Sequence, residues 1–167
     1  GSIAIVELDG RIGLVQNFRM TGPRILPEAG SDYVSRLNDE KRWDELLSSL
    51  GEWKWEAPRG LIPGPQGKDL EAFIIKTAKL EALQEAGFVI DEARIAGTLN
   101  ANSTFFAHAQ YVVHGKIKSV EKSSPEETEM IGTTKLFTRQ ELRELQEKGE
   151  FDDGLTLAAL ALCGISI

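Results

Sequence analysis

Glu81 and Glu85 lie four residues apart on a stretch that otherwise reads as an apolar helix face. From Asp69 to Ala86, apolar contacts recur at Leu70, Phe73, Ile74, Thr77 (through its methyl) and Ala78, the three-and-four spacing of one helical side. The next positions on that side are Glu81, Gln84 and Glu85. Like charges one turn apart repel by roughly 0.2–0.5 kcal/mol on an exposed helix, and by more where charge must be desolvated. A divalent cation would relieve that repulsion. The alternative is that the last turns leave the core and the acids are solvated. Lys76, Lys79 and Asp69 already form a solvated strip, and Ile75, Leu80 and Leu83 fill most of the remainder. The helix is therefore expected to be buried on two sides, with its acids facing a groove.

The elements around this helix can be read from turn and capping signals. Two β-branched runs flank Asp9-Gly10, a hairpin signature. Residues 22–32 are Pro/Gly-punctuated loop. Val34, Leu37, Trp43, Leu46 and Leu47 predict one helix over 33–50, stopped by Gly51. Trp53-Lys54-Trp55-Glu56-Ala57 is a short strand, and 58–68 a loop leading into the acidic helix. Gly87 turns the chain into two strands, over 87–102 and 103–117. A polar, acidic loop and a strand over 133–137 follow. Thr138 with Glu141 forms a capping box for a helix to Lys148, and Asp152 or Asp153 caps a last apolar helix to Cys163. This order predicts an α/β chain in which a mixed sheet packs between helices.

Bulk composition narrows the function. The 167 residues fit one domain, with 41% hydrophobic and 27% charged residues and a net charge of −7. Broad nucleic-acid or anionic-membrane binding wants a basic face, so neither is expected. A phosphate-bearing ligand stays open if metal ions supply positive charge. One cysteine, Cys163, excludes an internal disulfide, and with only His108 and His114 a structural zinc site is not expected. No signal peptide or membrane-length apolar run is visible, which predicts a cytoplasmic protein. Gly1-Ser2 reads as a cloning remnant, so the chain is expected to be cut from a longer one.

Five stretches, in order, resemble the Nudix hydrolase superfamily, in particular its ADP-ribose and nucleoside-diphosphate-sugar pyrophosphatases. The family box is G-x5-E-x7-R-E-U-x-E-E-x-G-U, with U apolar. Its second half is similar to Leu80-Glu81-Ala82-Leu83-Gln84-Glu85-Ala86-Gly87-Phe88. Trp55-Glu56-Ala57-Pro58-Arg59-Gly60-Leu61-Ile62 resembles the W-E-x-P-x-G-x-U strand and loop, and Gln16-Asn17-Phe18-Arg19 the earlier Q-x-[FY]-R. Residues 125–131 resemble the acidic loop and 149–155 the G-x-I-x-D stretch before the last helix. The sequence departs from the box at Leu80, where the family has arginine, and at Gln84, where it has glutamate. The early box glutamate falls at Ala72, one residue from Glu71, and residues from about 20 to 51 are an insertion.

The resemblance implies a Nudix-type α/β/α sandwich that hydrolyses a diphosphate linked to another moiety, using Mg²⁺ or Mn²⁺. It implies metal binding by Glu81, Glu85, Gln84 and the Arg59 backbone carbonyl. It assigns catalysis to Glu85 and to the loop base Glu127, with Glu126 and Glu129 as alternatives in another register. It implies contacts from Arg19 and Arg59 to the diphosphate and from Glu56 to a ribose hydroxyl. The implied partner is a small nucleoside diphosphate derivative, ADP-ribose-like or a nucleotide sugar. A homodimer is also allowed, as many relatives of this subgroup form one. The departures in the box keep a second reading open: a domain that binds a nucleotide ligand or a protein partner without hydrolysis.

Overall fold

The computed structural model describes residues 1–20, 33–62, 69–101, 109–127 and 129–167. Strand β1 (Ser2–Leu8) and β2 (Arg11–Arg19) form the expected antiparallel hairpin. Asp9 and Gly10 both have positive φ, 51° and 75°, as a two-residue turn matched to strand twist requires. Strand β3 (Glu52–Glu56) pairs with the far half of β2, and the two-residue β4 (Arg59–Gly60) pairs with the start of β1. Helix α3 (Leu70–Ala86) then leads to β5 (Phe88–Asn100), β6 (Ala109–Val120) and β7 (Ile131–Phe137). The expected strand start at residue 103 and the loop at 22–32 fall outside the described residues.

Among the described residues, seven strands make one sheet, ordered β3-β2-β1-β6-β5, with β4 also on β1 and β7 on β2. The β1–β6 pairing is parallel and the others are antiparallel, so the sheet is mixed. Strand β1 is buried on both faces. Ile3 and Ile5 point into a core closed by Leu142 of α4 (Arg139–Glu147) and by Ala159 and Leu160 of α5 (Gly154–Leu162). Ala4 and Val6 point into the opposite core, against Ile74, Ala78, Ala82 and Ala86 of α3. The period-two alternation of a strand thus serves two cores and gives the predicted α/β/α sandwich. No helix among the described residues is long and apolar enough to cross a membrane.

The segment read as a single helix over 33–50 is instead two, α1 (Tyr33–Asp39) and α2 (Trp43–Leu50). Lys41 takes a left-handed φ of 55°. The Lys41 and Arg42 amides donate back to the Asn38 and Leu37 carbonyls, at 3.1 and 2.9 Å. That paired closure ends a helix as firmly as a glycine would, and periodicity alone does not reveal it. Gly51 serves another purpose than a left-handed cap: a Cβ there would strike the Arg19 carbonyl, so glycine lets two backbones approach.

Candidate functional site

Helix α3 starts where Asp69 accepts the Ala72 amide, and stops at Gly87, whose left-handed φ of 72° returns its N–H to the last turn. Between these limits Ile74, Thr77, Ala78, Ala82, Glu85 and Ala86 are buried. The buried stripe therefore carries Glu85 with it, 2% exposed, and Glu81 sits half-buried one turn earlier.

The loop over 121–130 is tied down at both ends, and this decides which acid it presents. The Glu121 amide donates to the Gly87 carbonyl and the Ser124 amide to the Gln84 carbonyl, each at 2.8 Å, which fastens the loop to the end of α3. The Phe18 amide donates to the Met130 carbonyl at 3.0 Å, which fastens its other end to β2. Between these ties Glu126 and Glu129 close a turn: the Glu129 amide donates to the Glu126 carbonyl, and the Glu126 amide to the Glu129 carboxylate. Glu129 is thereby brought to the helix acids. Carboxylate oxygens of Glu81, Glu85 and Glu129 lie within 4.8 Å of one another. Glu127 is exposed and lies outside this cluster and outside the groove around it. The loop carboxylate that meets the helix acids is Glu129, in the alternative register.

Strand β4 supplies the facing wall. Its pairing with β1 sets the Arg59 amide 3.0 Å from a Glu85 oxygen, so the main-chain contact made at Arg59 runs through its N–H. Gly60 lies so close to Glu81 that a Cβ there would occupy the space of the Glu81 carboxylate. Burial, more than any other influence, raises the Glu85 carboxyl to about 8; the Arg59 amide opposes this, and the charges of Glu129 and Glu81 add to it. Glu81 is raised as well, by burial first and then by Glu129 and Glu126. Three carboxylates this close together offer the oxygen donors that a hard divalent cation takes.

Two adjoining depressions, of about 430 and 230 Å³, share Arg19, Arg59 and Glu129. The larger adds Gly60, Leu61, Glu81, Gln110, Glu126 and Leu155; the smaller adds Asn17, Phe18, Met20, Glu85 and Met130. The groove therefore sets carboxylates against guanidiniums. Glu56, expected at a ribose hydroxyl, is 1% exposed, and its carboxylate is engaged by both arginines. Gln84 is half-buried, and its main-chain carbonyl holds the acidic loop. Leu80, at the arginine position of the box pattern, is 48% exposed. Of the paired tryptophans, Trp55 packs edge-on against Phe137, and Trp53 meets Phe18. Of the two candidate caps, Asp153 caps α5 and also binds Arg59, a role that a capping signal does not announce. A separate cavity of about 270 Å³, lined by Glu7, Arg94, His114 and Lys116 among others, shares no residue with the groove.

No protein-family model and no curated protein matches the sequence. Solved structures do match the backbone. A Nudix hydrolase from Nitrosomonas europaea superimposes with a TM-score of 0.59, over 98% of this chain and 86% of its own, at 16% identity. The chain has the Nudix fold. An ADP compounds hydrolase agrees, with a TM-score of 0.60 over 98% of this chain and 69% of its own, at 14% identity. In this Nudix fold the acidic helix α3, the Arg59–Gly60 strand and the 121–130 loop converge on one groove.

Proposed function

We propose that this protein is a metal-dependent diphosphohydrolase acting on a nucleoside diphosphate linked to another moiety, ADP-ribose-like or a nucleotide sugar. The observation that carries the reading is the three-carboxylate cluster of Glu81, Glu85 and Glu129 facing Arg19 and Arg59 across one groove. Glu81 and Glu85 would hold the cation, with the Arg59 carbonyl and Gln84 as additional neutral donors. Mg²⁺ or Mn²⁺ in that place supplies neutralisation of phosphate charge and makes an attacking water more acidic. Arg19 and Arg59 bind the diphosphate oxygens through paired N–H donors. Water adds to one phosphorus, the bridging P–O bond breaks, and two phosphate monoesters and a proton leave. Glu129, held by the Glu126 amide at 3.1 Å, takes that proton as general base.

The reading of a ligand-binding domain without turnover is favoured by one observation: the box positions Leu80 and Gln84 carry no charge. A screen of nucleoside diphosphate derivatives with Mg²⁺ and Mn²⁺ separates the two. Alkaline phosphatase releases phosphate from monoester products and leaves the intact bridged diphosphate untouched. Phosphate release from at least one compound supports the hydrolase. Binding without release across the panel supports the second reading.

A further inference from the structure

The two arginines that face the acids are held from behind. Arg19 donates through Nε to both Glu56 oxygens, at 2.9 and 3.0 Å, and through Nη2 at 2.5 Å. Arg59 reaches the same carboxylate through Nη2 at 2.9 Å and Asp153 through Nη1 at 2.9 Å. The Glu56 side chain is 2% exposed, so its charge is sustained by these two cations and not by water. Asp153 is fixed in turn: its Oδ2 accepts the Thr156 amide and hydroxyl, at 2.9 and 2.7 Å, and the Thr156 hydroxyl oxygen accepts the Ala57 amide at 2.9 Å. The end of β3 and the start of α5 are thus locked to one another through the partners of the arginines.

We infer that Glu56 and Asp153 are positioning residues, which hold Arg19 and Arg59 as a preformed pair of guanidiniums for the groove. The inference rests on the reading of the groove as a diphosphate site. A free arginine must give up several rotatable bonds when it binds an anion, and anchoring it beforehand removes that penalty from the binding step. Two effects of Glu56 oppose each other. Its negative charge weakens the pull of the arginines on an anion, and its three contacts to Arg19 fix their direction. Charge alone predicts that Glu56→Gln tightens anion binding; positioning predicts that it weakens it. The sign of the change therefore identifies the role.

The test uses the full chain with methylenediphosphonate, a non-hydrolysable diphosphate, in the presence of Mn²⁺, and Mn²⁺ alone as a separate probe. Arginine Nε–H resonances report whether Arg19 and Arg59 are held. The inference expects immobile Nε–H groups in the wild type that loosen in Glu56→Gln. It expects diphosphonate affinity to fall about tenfold or more, with Mn²⁺ affinity at the acids unchanged. Asp153→Asn, which keeps an acceptor for the Thr156 amide, should weaken diphosphonate about threefold with the same sparing of Mn²⁺. Equal or tighter diphosphonate binding by Glu56→Gln reduces Glu56 to a counter-charge and overturns the inference. Parallel loss of Mn²⁺ and diphosphonate makes its role merely structural and overturns it too. If Glu56→Gln does not fold, unchanged diphosphonate affinity in Asp153→Asn is the overturning result. A wild type that binds Mn²⁺ but no diphosphonate removes the diphosphate reading itself, and is told apart because every other outcome starts from a wild type that binds.

Discussion

Replacing Glu85 by glutamine should make the metal-free protein more stable at alkaline pH, an unusual direction for a change at a buried polar position. The Glu85 carboxyl is raised from 4.5 to about 8. Between those values the folded state holds a proton that the unfolded chain has released, so unfolding becomes easier as pH rises through the window. At about 1.4 kcal/mol for each unit of pKa, the full effect approaches about 5 kcal/mol once pH exceeds the folded value. Glu85→Gln keeps an oxygen for the Arg59 amide and carries no charge, so it escapes the loss. In chelator, urea unfolding from pH 5 to 9 should show the two proteins nearly equal at pH 5 and the variant ahead by several kcal/mol at pH 9. Mn²⁺ should then stabilise the wild type selectively, by about 2.7 kcal/mol at one hundred times its dissociation constant, and narrow the gap. Parallel pH profiles in chelator would refute the claim that a buried, charge-crowded Glu85 strains the site.

Turnover should separate the loop acids: Glu129→Gln is expected to lose about 10²–10⁴-fold in kcat, and Glu127→Gln to stay within about twofold, read by product release under saturating Mn²⁺. Gly60→Ala should displace the Glu81 carboxylate, lowering Mn²⁺ affinity about 10–100-fold while changing Tm little, because the atom displaced is the end of a flexible side chain. Gln84→Glu should raise turnover at limiting Mg²⁺ in a hydrolase, and in a binding domain should tighten metal without creating turnover.

Much of the frame was legible because its signals are local. Asp9-Gly10 defined a hairpin, Asp69 and Gly87 bounded α3, and the Thr138–Glu141 pair is a complete capping box. The placing of Glu81 and Glu85 toward a groove followed from helical spacing, since a helix fixes which residues share a side. The loop acids were harder. Glu126, Glu127 and Glu129 are alike in type, and only the ties from Glu121, Ser124 and Phe18 to distant main chain decide that Glu129 turns inward. The break at Lys41 was hidden because a residue other than glycine takes the left-handed position. The pairing of Arg59 with Asp153 was hidden for a third reason: the two are 94 residues apart, and no periodicity connects ion pairs of that separation.

The central claim is that Glu81 and Glu85 hold a divalent cation beside Glu129, facing the two arginines. Its most direct test is a crystal structure of the wild-type protein in millimolar Mn²⁺, with anomalous scattering recorded at a wavelength where manganese contributes. The account predicts an anomalous peak among these three carboxylates, with oxygens of Glu81 and Glu85 at roughly 2.0–2.3 Å. An ordered groove with no peak there, or manganese bound only elsewhere, would contradict it.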